Sequence, residues 1–482
     1  MEELPDELLV HILGFLGERE ENVEGEDEDE HRAMEGFRAL VSVSATSRRL
    51  RAVSDSAALW RRLYARRFLA HSPFARLDLY EHIPPFRLAH EDRERALLSC
   101  WPGEDRWRDA FVREARWSSG KNVHTAVARI PDRVAMTTGR NVLVDERDPE
   151  KPVIFVSCGN GRIHSFRRGA GAELRKKKVY SISNVGTRAI LGVMRIKDAY
   201  MTGLHQTDEL LIARAHGTIK VFRKGSTWAK LGVATGDGFP TLAVNRERMW
   251  MASSAWGRPG VIALHDLGAA RAVSQFTLEG TGSEPGMVSK HNHLIVGSPQ
   301  ELALFDLRSG KKERDLISDY SGKVKGIISA QFEEDSDASS FLVTAYDGTR
   351  STYVYDWDSL ELQREVPGGG YDVSFRRGIV ALATSRGAHI ADAHSSRSGF
   401  LEASGLGTPE AAYADWRRVI LIGHSVHEKR IIIHDLATYR QRRLEHPDGT
   451  EHSLGSAVTD DLLLTASKNT VAVWDFASSF SS

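Results

Sequence analysis

From about Val153 to the carboxyl terminus, one pattern of hydrophobic and polar positions keeps returning. Each unit is an apolar run, a turn of small residues, a second apolar run closing on an aromatic or histidine plus aspartate, and a polar tail. The copies read PVIFVSCGNGRIHSF, DELLIARAHGTIKVF, RMWMASSAWGRPGVIALHDL, NHLIVGSPQELALFDL, SFLVTAYDGTRSTYVYDW, GIVALATSRGAHIADA, RVILIGHSVHEKRIIIHDL and DLLLTASKNTVAVWDF. Short apolar runs bounded by glycine and polar turns predict strands. The first strand of each copy begins near Val153, Leu210, Met249, His293, Phe341, Ile379, Val419 and Leu462. The mean step of about 44 residues fits the ~40–45 of a four-stranded propeller blade. Eight blades are favoured, and seven are the alternative because the first step, 57 residues, is irregular. Only six residues follow Phe476, too few for a good outer strand. A segment within Asn122–Ile130 is therefore expected to supply it and close the ring, which removes most of the exposed sheet edge.

The amino-terminal part follows a different period. Leu9, Ile12, Leu13 and Leu16 fall at i, i+3, i+4 and i+7 and predict an amphipathic helix. Pro5 suits its first turn, and Asp6 and Glu7 complement the positive end of its dipole. Leu8 and Phe15 lie off the main stripe, so this helix calls for burial on two sides. Helical spacing resumes at Leu40, Val43, Leu50 and Val53. A further short helix follows Asp55 or Ser56, with Leu59, Trp60 and Leu63 on its buried side.

Taken in order, LPDELLVHILGFL, LVSVSATSRRLRAVS and LWRRLYARRF resemble an F-box over residues 1–68. The resemblance implies binding to the Skp-type adaptor of cullin-based SCF ubiquitin ligases, and through it to cullin and a RING subunit. It implies that Leu4, Pro5, Leu8, Ile12 and Leu13 meet the adaptor, with Leu40, Val43 and Leu50 completing surface and core. The departure from the family pattern is an acidic insert at 17–36. Its like charges repel and it buries nothing, so disorder is expected, as a tolerated loop or as a tether for a basic partner.

Residues 69–121 read as a linker: Pro73, Pro84, Pro85 and Pro102 interrupt any sustained period, and a helix is expected near 104–117. It places Trp107, Phe111 and Ala115 on one face and ends at Trp117 and Gly120. Such a helix ahead of a repeat region is similar to the connection in F-box proteins with WD-repeat propellers, assigned here to 122–482. One copy carries a literal Trp-Asp, at Trp474-Asp475, while Phe305-Asp306, His265-Asp266 and His434-Asp435 stand in elsewhere. The expected fold class is thus a small helical F-box, a linker helix and an all-β propeller.

Composition narrows the function. Hydrophobic residues at 41% and charged residues at 27% make an ordinary soluble balance. A net charge of −1 gives no argument for nucleic acid or an anionic membrane, and neither is expected as a partner. Cys100 and Cys158, the only cysteines, exclude a disulfide framework and a cysteine-rich zinc site. Glu2, Glu3, Asp6 and Glu7 stand where a signal peptide has positive charge, and Leu8–Leu16 is far short of the roughly 20 apolar residues of a spanning helix. The expected location is cytoplasmic, nuclear or both.

Chemistry-bearing motifs are few. No HExxH, phosphate-binding glycine loop or dinucleotide fingerprint occurs. GHSVH at Gly423 lacks the last glycine of a nucleophile elbow. His291 and His293 are expected on one strand face, without a third metal ligand close in sequence. RKKK at Arg175–Lys178 suits a nuclear signal or a solvated turn or outer strand. No catalytic residue, metal or cofactor is expected. The working surface is expected on the face bearing the b–c and d–a loops, counting strands a to d outward in each blade. Arg162, Arg258, Arg350, Arg386, Arg430 and Lys468 stand at or near six b–c turns. Converging, they would bind an acidic or phosphorylated peptide. The reading is a non-catalytic SCF substrate receptor; a propeller scaffold in a non-ligase complex and an enzyme using the central channel are the rivals.

Overall fold

The computed structural model describes thirty-two strands between His124 and Asp475 with part of the turns joining them, residues 59–60, 113, 116–117 and 123 ahead of them, and Phe476 after them. Two compact units divide the chain. One comprises Met1–His124, Asp435–Arg440 and Asp475–Ser482; the other, Thr125–His434 and Gln441–Trp474.

In the first unit Leu59 and Trp60 are helical and buried, as their spacing predicted. Arg113, Arg116 and Trp117 are also helical and buried, within the helix expected near 104–117. Trp117 stacks on Phe476 with ring centroids 3.4 Å apart. Beside it, Arg116 Nη1 donates to the Phe476 carbonyl at 3.2 Å. Trp107, Phe111, Ala115 and Leu63, and the insert at 17–36, lie outside the described residues.

The second unit is a β-propeller. Its strands form eight four-stranded antiparallel sheets. The first sheet is consecutive in the chain: β2 (Val142–Asp145), β3 (Val153–Ser157), β4 (Arg162–Arg168) and β5 (Leu174–Ser181). Six more repeat that order. The eighth takes Gly455–Val458, Leu462–Ala466 and Thr470–Asp475 from the end of the chain and its outer strand, β1 (His124–Arg129), from the beginning. β1 lies inside the segment expected to close the ring. Beyond it, Ile130 N donates to Asn469 O at 2.7 Å.

Each sheet packs on the next. Leu143, Phe155 and Ile163 of the first meet Leu211 and Phe222 of the second. Ile262 and Leu264 of the third meet Leu294 and Phe305 of the fourth, and Val354 of the fifth meets Phe375 and Leu382 of the sixth. Tyr413 of the seventh donates from its hydroxyl to Ser456 O of the eighth at 3.1 Å. The circuit closes where Leu464, Val471 and Val473 of the eighth pack with Val142, Val144, Ile154 and Val156 of the first. First strands of neighbouring sheets approach one another, which makes them the innermost.

This layering explains the sequence pattern. An a or b strand has a neighbouring sheet on both faces, so it is apolar throughout rather than alternating: β2, Ile379–Thr384 and Leu462–Ala466 are buried almost end to end. The d strands face water on the outer side, and Arg271–Thr277 and Lys312–Asp315 are exposed nearly throughout.

The recurring aspartate is a turn-former. Asp306 Oδ1 accepts from the amides of Arg308 and Ser309 at 2.9 and 2.7 Å, and Asp356 Oδ1 accepts from Ser359 N at 2.7 Å. These are Asx turns that start the c–d hairpin. Four residues after each aspartate the backbone turns left-handed, at Gly310 (φ 65°) and Leu360 (φ 56°). The residue before the aspartate is buried, whether His265, Phe305, Tyr355 or Trp474. So is the residue after it: Leu267, Leu307, Trp357, Ala393 and Phe476. The apparent substitutes for Trp-Asp thus occupy one structural position.

One expectation is corrected. His291 and His293 do not share a strand face: His291 sits exposed in the a–b turn at φ 50°, and His293 opens the next strand. Asn245 Nδ2 holds that turn by donating to the His291 carbonyl at 2.7 Å. No group of three or more potential metal ligands occurs among the described residues.

Candidate functional site

In an antiparallel a–b–c–d sheet the b–c and d–a connections lie at one end, so the sheets present their b–c turns on a common face. Arg162 is the first residue of β4, and Arg386 is exposed in the turn between Ile379–Thr384 and Gly387–Asp392. Arg258 opens the strand Arg258–Asp266, and Arg430 is the second residue of Lys429–Asp435, opposite Glu445 of the outer strand. Arg350 and Lys468 lie outside the described residues, as do the adaptor-facing residues Leu4, Pro5, Leu8, Ile12, Leu13, Leu40, Val43 and Leu50. The b–c turns join the second and third strands from the centre. With strands spaced about 4.8 Å apart, the b–c turns stand outboard of the innermost strands.

The first sheet shows how this face is built. Asp132, in the d–a connection between β1 and β2, accepts a 2.7 Å hydrogen bond from His164 Nε2 of β4 and lies 3.5 Å from Arg162 Nη1. One carboxylate thereby ties a connection to a strand and steadies an arginine that stays 56% exposed. Burial keeps His164 below the usual histidine range, although Asp132 pulls the other way. An ionised carboxylate can only accept, so the ring N–H of His164 is the donor. The pair is 32 residues apart in sequence with no motif around it, so only the fold reveals it.

Buried Cys158 is nearby, and its amide donates to Arg162 O at 2.7 Å. Cysteine, histidine and aspartate together suggest a nucleophile, but burial, reinforced by the Asp132 charge, pushes the thiol up to about 12. A thiol so reluctant to ionise is structural. His265, also buried, binds Ser253 Oγ through Nε2 at 2.9 Å, and burial lowers it to about 4. It fills the place Trp474 occupies in the eighth sheet, so its role is packing.

At the opposite, a–b end a small open cleft lies where inner strands of the sixth, seventh and eighth sheets meet, lined by Ser374, Arg376, Tyr413 and Arg418 among others. Sequence reading missed it. The signal was the paired arginine ahead of the b strand in two successive repeats, FRRGIV and WRRVIL.

Comparison with known proteins bears on both parts. A family model described as F-box-like matches residues 1–66. No curated protein sequence matches the chain. Among solved structures, the computationally designed Ika8 protein aligns with a TM-score of 0.52 at 16% identity, covering 73% of this chain and 98% of that one. The Dos1 propeller aligns at 0.49 and 10% identity, covering 74% and 96%. At 16% identity the likeness to the Ika8 protein concerns the fold alone. The chain is thus an F-box-like segment at its amino terminus joined to a β-propeller.

Proposed function

We propose that this protein is the substrate-recognition subunit of an SCF-type ubiquitin ligase. The observation that carries the reading is the F-box-like match over residues 1–66 in a chain whose remainder includes a β-propeller. In this reading Leu4, Pro5, Leu8, Ile12 and Leu13, with Leu40, Val43 and Leu50, dock the Skp-type adaptor, which brings cullin and the RING subunit. The propeller holds a protein substrate by its b–c face. Arg162, Arg258, Arg350, Arg386, Arg430 and Lys468 suit an acidic or phosphorylated segment, because arginine pairs bidentately with carboxylate and phosphate. The ubiquitin-transfer chemistry lies in other subunits, and this chain contributes a high local concentration of target. The inert Cys158 accords with that division of labour.

Deleting residues 1–68 should abolish adaptor pulldown from cell extract while the propeller remains folded; adaptor retained by the deleted chain would overturn the reading. The rival, a scaffold outside the ligase, predicts that adaptor co-purifies without cullin.

A further inference from the structure

The outer strands differ sharply in charge. KERD of the fourth sheet and LQREV of the fifth balance cations with acids, and SGFLE of the sixth carries only an acid. β5, LRKKKVYS, has four cations and no acid, and at eight residues it is the longest outer strand described. Arg175, Lys176 and Lys178 are exposed, and Val179 beside them is 40% exposed. β5 is also the last strand of its sheet, paired through β4 on one side.

Pairing in this hairpin shifts between Ser165 and Phe166, so Lys178 lies opposite Ser165 while Lys176 lies opposite Phe166. Lys177 is the extra residue of a bulge, and the bulge sends Lys176 and Lys178 to opposite faces. A ligand that meets both must run along the edge rather than lie on one face. Lysine on an edge also deters strand-to-strand aggregation. Shielding of that kind is achieved on the outer strands of the fourth, fifth and sixth sheets without a net charge of this size.

We propose that the β5 edge of the first sheet is a docking strip for an extended acidic segment of a partner protein. The strip lies on the outer rim, separate from the b–c face, and does not depend on the ligase reading. Protein is favoured over nucleic acid because an apolar residue stands among the cations, and the exposed side chains described on this sheet include no aromatic ring to stack a base.

The test uses the full chain and a fluorescent oligoglutamate peptide, with oligothymidylate as competitor. K176E/K178E should weaken peptide binding about tenfold or more. K311E/K312E makes the same change in net charge at exposed lysines of the fourth sheet and should leave binding within about twofold. If charge reversal lowers the melting temperature, K176Q/K178Q replaces it and should still weaken binding severalfold. Equal loss in both pairs, or no loss in the β5 pair, would show an edge that is only shielded and would overturn the proposal. Oligothymidylate competing as well as free oligoglutamate would overturn its partner class.

Discussion

Gly387 stands in a place no other residue fits. A Cβ added there would lie 1.9 Å from the Leu401 carbonyl oxygen across the hairpin. Gly387→Ala must therefore push apart the outer two strands of the sixth sheet, at a cost of about 2 kcal/mol or more. Chemical denaturation should show it as a lower midpoint at unchanged slope. Asp306 makes a different kind of contribution. Its carboxylate is held below the usual range mainly by backbone donation from Ser309, and Asp306→Ala leaves the Arg308 and Ser309 amides without that acceptor. The expected loss is about 1 kcal/mol, and Asp306→Asn should recover much of it, since the amide oxygen can accept the same bonds. A mutant whose stability matched wild type would show that the hairpin does not need its Asx turn.

At the scale of elements, β1 matters most, because it is the one strand of its sheet drawn from the other end of the chain. Ala128 of β1 and Ile130 just beyond it are buried in the cluster that joins the eighth sheet to the first. A chain starting at residue 122 should unfold cooperatively, whereas one starting at 131 should expose the edge of Thr470–Asp475 and aggregate. Size-exclusion chromatography of the two distinguishes the outcomes. Hydrophobic pattern predicted the b and c strands of all eight units because burial on both faces leaves an uninterrupted apolar run. The d strands were legible only as polar tails, since a solvated outer strand and a solvated loop have similar composition. The left-handed turn residue Gly310, at φ 65°, could be guessed from glycine; Leu360 in the same conformation could not.

For the molecule as a whole, buried histidine couples stability to acidity. Burial lowers His265 to about 4 and brings His164, His389 and His434 below their ordinary value. Unfolding exposes them, and each then titrates near 6.5. Below that pH the unfolded chain binds protons that the folded chain refuses, so stability is fully present above about pH 6.5 and declines as pH falls toward 4. Each such proton contributes at most about 1.4 kcal/mol per pH unit. Melting temperature should fall between pH 7 and 5, and His265→Gln should flatten that slope; a slope unchanged by the substitution would shift the cause to the other three.

Period and strand order along the chain were enough to specify a propeller and its closure by the amino-terminal strand. Those features follow from local burial, and burial is written directly into hydrophobic spacing. The Asp132–His164–Arg162 contact, the equivalence of His265 with Trp474, the arginine-lined cleft at the a–b end and the two-sided charge of β5 were decided by tertiary structure. Each depends on which residues a closed ring brings side by side, or on a backbone bulge, and hydrophobic spacing encodes neither.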